Sequence, residues 1–272
     1  MWIDTHLHLD AAEFDSDRDN VVARAAAVGV GLMISAATTI AGAERVLELA
    51  RRYASVRAAA GIYPEHAAAA DAAALDALER LARDEAVVAI GEIGLDYVRS
   101  AATKPAQAEA FRAQVRLARR LDLPVIVHDR GAHDDVERIL VEEGASKVVL
   151  HCFSGTPEMA VRCAGRGWMI SLAGPVTFRS AGSLRDVARL LPEDRLLLET
   201  DAPYLSPAPM RGRRCEPAFV QYTARAVADL RGITPAALEA ALERNVGRTF
   251  GVSPSGERSP SRSAERWAEK ER

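Results

Sequence analysis

The sequence predicts an α/β protein of the (β/α)8, or TIM-barrel, class in a single domain, and three observations lead there. Helical and strand signals alternate along most of the 272 residues. The strands are short and apolar on nearly every residue, which is how parallel strands covered by helices read. Eight such units follow one another, and eight suit a closed barrel better than an open doubly wound sheet. No G-x-G-x-x-G opens a helix after the strand at 86–90, which weakens a dinucleotide-binding alternative.

The first strand spans residues 2–9 and alternates in the manner of a half-buried strand. Side chains two apart share a strand face, so His6 and His8 point together, with Asp4 and Asp10 nearby. Residues 14–28 form an amphipathic helix opened by an acidic turn at Asp15 and Asp17 and closed by Gly29. Strand 30–35, helix 41–53 with Arg51 and Arg52 in its last turn, and strand 56–61 follow. The last of these runs into Tyr63-Pro64-Glu65-His66. A helix at 71–84 takes Asp71 as its cap, and strand 86–90 leads into Gly91-Glu92-Ile93-Gly94. Helix 106–121 precedes strand 123–127, which ends at His128. Helix 134–143 precedes strand 147–150, which ends at His151. Helix 157–165, strand 168–172 and helix 184–191 come next. Strand 195–198 ends in Glu199-Thr200-Asp201, and helices at 216–230 and 235–243 close the series. Residues 252–272 are rich in Ser, Pro, Arg and Glu, too poor in apolar groups to order themselves. They read as a disordered charged tail, leaving 1–251 as the domain.

Composition excludes several classes. With 49% hydrophobic residues the chain can bury a large core, and 35 basic against 38 acidic residues give a formal charge of −3. That balance does not describe a protein coated in positive charge for duplex binding. Three cysteines, Cys152, Cys163 and Cys215, make no disulfide framework. Neither a secretory signal nor a membrane-length apolar run is present, so a cytoplasmic location without membrane contact is expected. No obligate protein partner is evident.

The chemistry collects where strands end. In a barrel of this class the carboxyl ends of the strands meet on one face, which carries the active site. His6, His8, Glu92, His128, His151 and Asp201 all fall there, and these are four of the six histidines in the chain. A lone strand-end histidine is usually a buried residue with its hydrogen bonds satisfied; four converging with two carboxylates reverse that prior. Six ligands exceed one tetrahedral ion and suit two metals about 3.5–4 Å apart. Glu92 is the natural bridge, because a carboxylate offers two oxygens where a histidine offers one nitrogen. Bound water in such a site ionises near neutral pH, which points to metal-assisted hydrolysis. Asp201, at the end of the last strand and beside His6 in a closed barrel, is read as the general base that takes the proton from the attacking water. Glu199 reads as its deeper support. Arg130, Arg179 and Arg211, with Arg213 and Arg214, follow strands and would suit phosphate. His66 and Tyr63 are further candidates for touching substrate. His133 reads as surface and Cys152 as core.

These segments together resemble the TatD family of metal-dependent hydrolases in the amidohydrolase superfamily. The resemblance rests on Asp4-Thr5-His6-Leu7-His8, on residues 89–97 and on Pro124 to Arg130. It continues through His151-Cys152-Phe153-Ser154-Gly155, residues 198–205, and Arg211-Gly212 with Glu216-Pro217. It implies one ion among His6, His8, Glu92 and Asp201 and a second held by Glu92, His128 and His151, with magnesium, manganese or zinc as candidates. It also implies a deoxyribonuclease, often exonucleolytic, acting on DNA that is single-stranded or offers 3′ ends. Two positions depart from the family pattern: Tyr63 stands where histidine is usual, and Cys215 where asparagine is usual. Both are expected in loops on the substrate side. The competing function is hydrolysis of small esters, lactones or amides, with an aminoacyl-tRNA deacylase between the two.

Overall fold

The computed structural model describes residues 1–99 and 104–253. Eight strands lie side by side in chain order, every neighbouring pair parallel. They are β1 (Trp2–Leu7), β2 (Val30–Ala36), β3 (Val56–Ala60), β4 (Val87–Asp96), β5 (Val125–Arg130), β6 (Val148–Leu150), β7 (Met169–Leu172) and β8 (Leu196–Leu198). The helices between them are α1 (Arg18–Ala27), α2 (Ile40–Arg52), α3 (Ala72–Ala82), α4 (Lys104–Arg120), α5 (His133–Glu142), α6 (Pro157–Gly165) and α7 (Gly182–Leu190). After β8 come α8 (Val220–Arg231) and α9 (Pro235–Phe250). Hydrogen bonds close the circle between the last strand and the first. Thr5 Oγ1 donates to the Leu198 carbonyl at 3.0 Å, Asp201 N to the His6 carbonyl at 2.9 Å, and His8 N to the Ala202 carbonyl at 2.8 Å. This is the expected (β/α)8 barrel.

Helix starts follow local chemistry. Thr39, Asp71, Thr156 and Thr234 each accept a hydrogen bond from a first-turn amide, and α6 and α9 begin with proline. Glycines 232 and 251 end α8 and α9 in the left-handed conformation. No helix among the described residues is long and apolar enough to cross a membrane.

The core has two layers. One buried cluster takes a residue from every strand, among them Ile3, Leu32, Ala59, Val88, Ile126, Val149, Met169 and Leu197, and fills the barrel interior. Val246, Phe250 and Val252 join it, so α9 and the residues after it plug the end of the barrel where the strands begin. A larger cluster packs the outer faces of the strands against the helices. Val252 is therefore core rather than tail, and residues 254–272, the rest of the expected tail, lie outside the described residues.

Three differences from the expected elements bear on the site. The segment expected as one helix at 14–28 is a 3-10 turn, Ala12–Phe14, followed by α1, because Phe14 is pulled fully into the core. The fourth strand does not stop at Ile90 but runs to Asp96. Gly91 and Gly94 look like breakers in sequence, yet they permit close packing on β5. A Cβ on Gly91 would sit 2.7 Å from Ile126 Cβ, and Gly94, at φ +138°, would collide with the His128 carbonyl if it carried a side chain. The last helix extends to Phe250 because Asn245 caps the carbonyls of Glu193 and Leu196 at 2.8 Å each, making a polar residue part of the interior.

Candidate metal centre

At the carboxyl end of the strands is a cavity of about 640 Å³ whose floor includes His8, Glu92, His128, His151 and Asp201. His6 lies fully buried beneath it, its ring stacked on His151 at 3.9 Å between centroids. Strict alternation would put Ile3 and Leu7 on the same face, but Ile3 lies inside the barrel and Leu7 outside it. The β1–β2 register shifts between Asp4 and Leu7, and that irregularity turns both histidines inward.

The six side chains fall into two sets that share Glu92. In the first, His6 Nε2 is 3.4 Å from His8 Nε2 and 3.6 Å from both Glu92 Oε2 and Asp201 Oδ1. His8 Nε2 is 3.4 Å from Glu92 Oε2 and 3.5 Å from Asp201 Oδ1. In the second, Glu92 Oε1 is 2.7 Å from His128 Nδ1 and 2.9 Å from His151 Nε2, and those two nitrogens are 3.3 Å apart.

In His8, His128 and His151 the nitrogen that faces away meets a polar group that orients the ring. His8 Nδ1 is 2.9 Å from the Ala36 carbonyl, so Nδ1 carries a proton and Nε2 is the nitrogen turned toward Glu92 and Asp201. His128 is turned the other way, with Nε2 3.2 Å from both Asp96 Oδ2 and the Tyr63 hydroxyl. Tyr63 donates to Asp96 Oδ2 at 3.1 Å, while Asp96 Oδ1 takes the amides of Val98 and Arg99. Glu199 Oε1 accepts the Cys152 amide at 2.6 Å and lies 3.3 Å from His151 Nδ1, near enough to orient that ring by charge. This places Glu199 under His151, not under Asp201.

Burial and charge set the protonation. Burial opposes ionisation of Glu92, but His151 and His128 outweigh it and hold the carboxyl well below its usual range. Asp201 is lowered in the same way, with burial overcome by His8 and His6. Burial, reinforced by His151, pushes His6 down. For His8, burial is overridden by Asp201 and Glu92, which raise it to about 9. Burial and the charge of Glu92 push the Tyr63 phenol up, so it stays a donor at neutral pH.

The donor set fits divalent cations. A tetrahedral ion with bonds of about 2.1 Å holds its ligand atoms about 3.4 Å apart. The 3.4–3.6 Å separations of the first set match that spacing without rearrangement. The second set stands at hydrogen-bond distances and would open slightly to admit an ion. His6 Nδ1 and Glu199 Oε2 are buried without a hydrogen-bond partner, so polar groups remain in reserve beneath the site.

Of the residues read as contacting substrate, Tyr63, His66 and Arg130 line the cavity. Arg179 and Arg211 are not among its lining residues, and Arg211 lies 5.0 Å from the Phe178 ring centroid. Arg214 is engaged elsewhere. It bonds both oxygens of Asp17 at 2.8 Å and Glu216 at 3.0 Å, and Glu216 also pairs with Arg24, bracing the loop after β8 against α1. Cys152, read as core, lines the cavity instead, because φ of 43° breaks the alternation after β6. Cys215, read as a substrate-side residue, is fully buried, with its sulfur 3.9 Å from the Thr200 carbonyl.

Sequence reading gave no role to Asp96, Arg99, Tyr204, Gln107 or Gln114. The two glutamines, seven apart on the buried face of α4, carry a signal in retrospect: amides on an apolar stripe need a partner. Gln114 takes the Ile62 amide at 2.7 Å and gives to its carbonyl at 3.0 Å. Gln107 does the same for Asp96 at 2.9 and 3.1 Å. Between them they fix the two segments that carry Tyr63 and Asp96 to His128.

A parallel eight-stranded barrel with histidines and carboxylates gathered at the carboxyl ends of its strands defines a metal-dependent hydrolase. Residues 3–251 match the family model described as TatD related DNase, and the chain belongs to that family. It is 39% identical to the metal-dependent hydrolase YabD of Bacillus subtilis, over 93% of this chain and 100% of that one. It is 38% identical to the 3'-5' ssDNA/RNA exonuclease TatD of Escherichia fergusonii, over 92% and 99%. Among solved structures, the Escherichia coli TatD homologue YJJV superposes with a TM-score of 0.88 at 35% identity, covering 92% and 98% of the two chains.

Proposed function

We propose that this enzyme is a two-metal nuclease that removes nucleotides from the 3′ end of single-stranded DNA. The observation that carries the proposal is the placement of Glu92. One of its oxygens faces His6 and His8 and the other faces His128 and His151. A bridging carboxylate between two ions is what in-line displacement at a phosphodiester calls for. In this reading His6, His8 and Asp201 hold one ion with Glu92, and His128 and His151 hold the other. The imidazoles suit zinc, and the carboxylates suit magnesium and manganese. Bound ions would supply the positive charge that acidifies water and steadies the phosphoryl oxygens.

The protein's own groups do the rest. Asp201 has 14% side-chain exposure against 3% for Glu92, so it is the carboxylate within reach of an incoming water. As a carboxylate it orients that water and accepts its proton. Arg130, exposed on the cavity wall at the end of β5, takes the strand's phosphate. The names of the exonuclease relatives support a nucleic-acid strand as substrate. Three unpaired cysteines support a reducing, cytoplasmic setting.

Single-stranded oligonucleotides labelled at one end or the other, given to protein loaded with manganese, test this directly. Mononucleotides released first from the 3′ end are expected, with a rate that declines as salt is added. Turnover of neutral lactones with intact strands left behind would refute it.

A further inference from the structure

We propose that Tyr204 is the stacking platform for a nucleobase, forming a subsite on the β8 side of the cavity mouth. The subsite rests on the nuclease assignment above and specifies how that site grips its strand.

Large apolar side chains among the described residues are mostly buried, yet Tyr204 is 51% exposed and the adjoining Leu205 39%. Both line the cavity. The ring is not a loose end. The Tyr204 amide donates to the Asp201 carbonyl at 2.9 Å, and Asp201 and Leu205 hold left-handed conformations at φ 57° and 56°. Non-glycine residues adopt that region only where the surroundings enforce it, so the turn that presents the ring is fixed. The ring centroid lies 6.1 Å from that of His8 at 60°, which leaves one aromatic face next to the metal centre. A base on that face would belong to the nucleotide whose phosphate is at the ions.

The opposite lip completes the grip. Arg99 follows β4 and Arg130 ends β5, across the barrel from β8, and both are exposed and line the cavity. Neither guanidinium is paired with a carboxylate among the described residues. Asp10, Glu13 and Glu65 line the arc between, where they would repel a second phosphate backbone. A mouth with an aromatic platform on one side and cations on the other takes a single strand, because stacking needs an unpaired base.

The test compares parent enzyme, Tyr204→Leu and Tyr204→Trp on intact strands and on strands with one abasic residue at the last or next-to-last 3′ position. The exposed ring can be replaced without disturbing the core, and unchanged metal content and melting will verify that. Tyr204→Leu is expected to lower kcat/KM about tenfold on the intact strand, through KM, with Tyr204→Trp close to the parent. One of the two abasic strands should lower the parent by a similar factor and abolish the difference between parent and Tyr204→Leu. Equal activity of Tyr204→Leu and parent on intact strands would overturn the subsite, as would an undiminished difference on both abasic strands. Absence of strand cleavage by the parent would fail the nuclease assignment itself, and the subsite with it.

Discussion

On the β1–β8 side of the cavity the donor atoms stand 3.4 to 3.6 Å apart, and the support behind them comes from the backbone. His8 is held by the Ala36 carbonyl, and the seam bonds to His6 and His8 are main-chain too. On the β5–β6 side the donors stand 2.7 to 3.3 Å apart, and side chains orient them: Asp96 and Tyr63 for His128, Glu199 for His151. Backbone supports survive any side-chain change, whereas side-chain supports can be lost singly. The first half is therefore preformed and tolerant, and the second is adjustable and vulnerable.

Glu92 is where the comparison can be broken outright. Glu92→Gln removes the charge that both halves use, and Gln cannot serve two ions as an anion. Turnover is expected to vanish, and calorimetric titration with manganese should lose both binding steps. Retention of two full equivalents would mean that the halves do not share this residue. Next in size is Asp201→Asn, which keeps the shape of the first half and removes the base proposed for it. Loss of a general base typically costs about 10²–10⁴-fold in rate. A folded protein with turnover reduced to that extent at saturating metal is expected, and more than about half the parent rate would place the base elsewhere.

The difference between the halves is sharpened by metal titration. In the two-metal reading proposed above, filling the first half would need no rearrangement, while filling the second would break two short contacts to Glu92. Each hydrogen bond that must open costs about a tenfold loss of affinity, so two resolved binding steps are expected. Tyr63→Phe and Asp96→Asn should weaken the second step alone, by about 10–100-fold, as loss of a group supporting a metal ligand usually does. A single step, or equal weakening of both, would show that the halves respond as one.

The smallest effect concerns how each side is braced. The β4–β5 side is pinned by buried amides on α4, and the β8 side by the half-buried Arg214–Asp17–Glu216–Arg24 cluster. Hydrogen bonds from Arg214 and Arg24 hold the Asp17 carboxyl below its usual range. A depressed carboxyl stabilises the fold above its unfolded pKa and loses that contribution as pH falls through the ordinary carboxylate range, near about 4. The difference in Tm between parent and Arg214→Met, measured without metal, should thus be widest near neutrality and narrow on acidification. A difference that stays constant with pH would point to packing of Arg214 on Phe14 instead.

The first half of the site is the more legible in sequence, for the same reason that it is preformed. His6 and His8 lie two apart at the end of β1 and Asp201 follows β8 by three residues, so their strand-end placement reveals all three, although a register irregularity in β1 is what turns the histidines inward. The second half depends on partners from other elements. Tyr63 and Asp96 meet His128 only because Gln114 and Gln107 hold their segments, and nothing in strand periodicity reveals a clamp on a helix behind the sheet. Glycines misled in the same region, since Gly91 and Gly94 mark close approach to β5 rather than the end of β4. Cys152 defeated the alternation rule through one left-handed residue, a conformation that a cysteine side chain does not advertise.

The plug formed by α9 has a consequence for handling the molecule. Val246 and Phe250 seal the closed end of the barrel, and the amino terminus lies beside the same helix, with Met1 N 3.5 Å from Glu239. Both ends of the described chain thus leave from the side facing away from the cavity. A fusion partner or surface tether joined at Met1, or directly after Ser253, would hang the enzyme with its mouth outward, leaving long polymers free to thread in from solution.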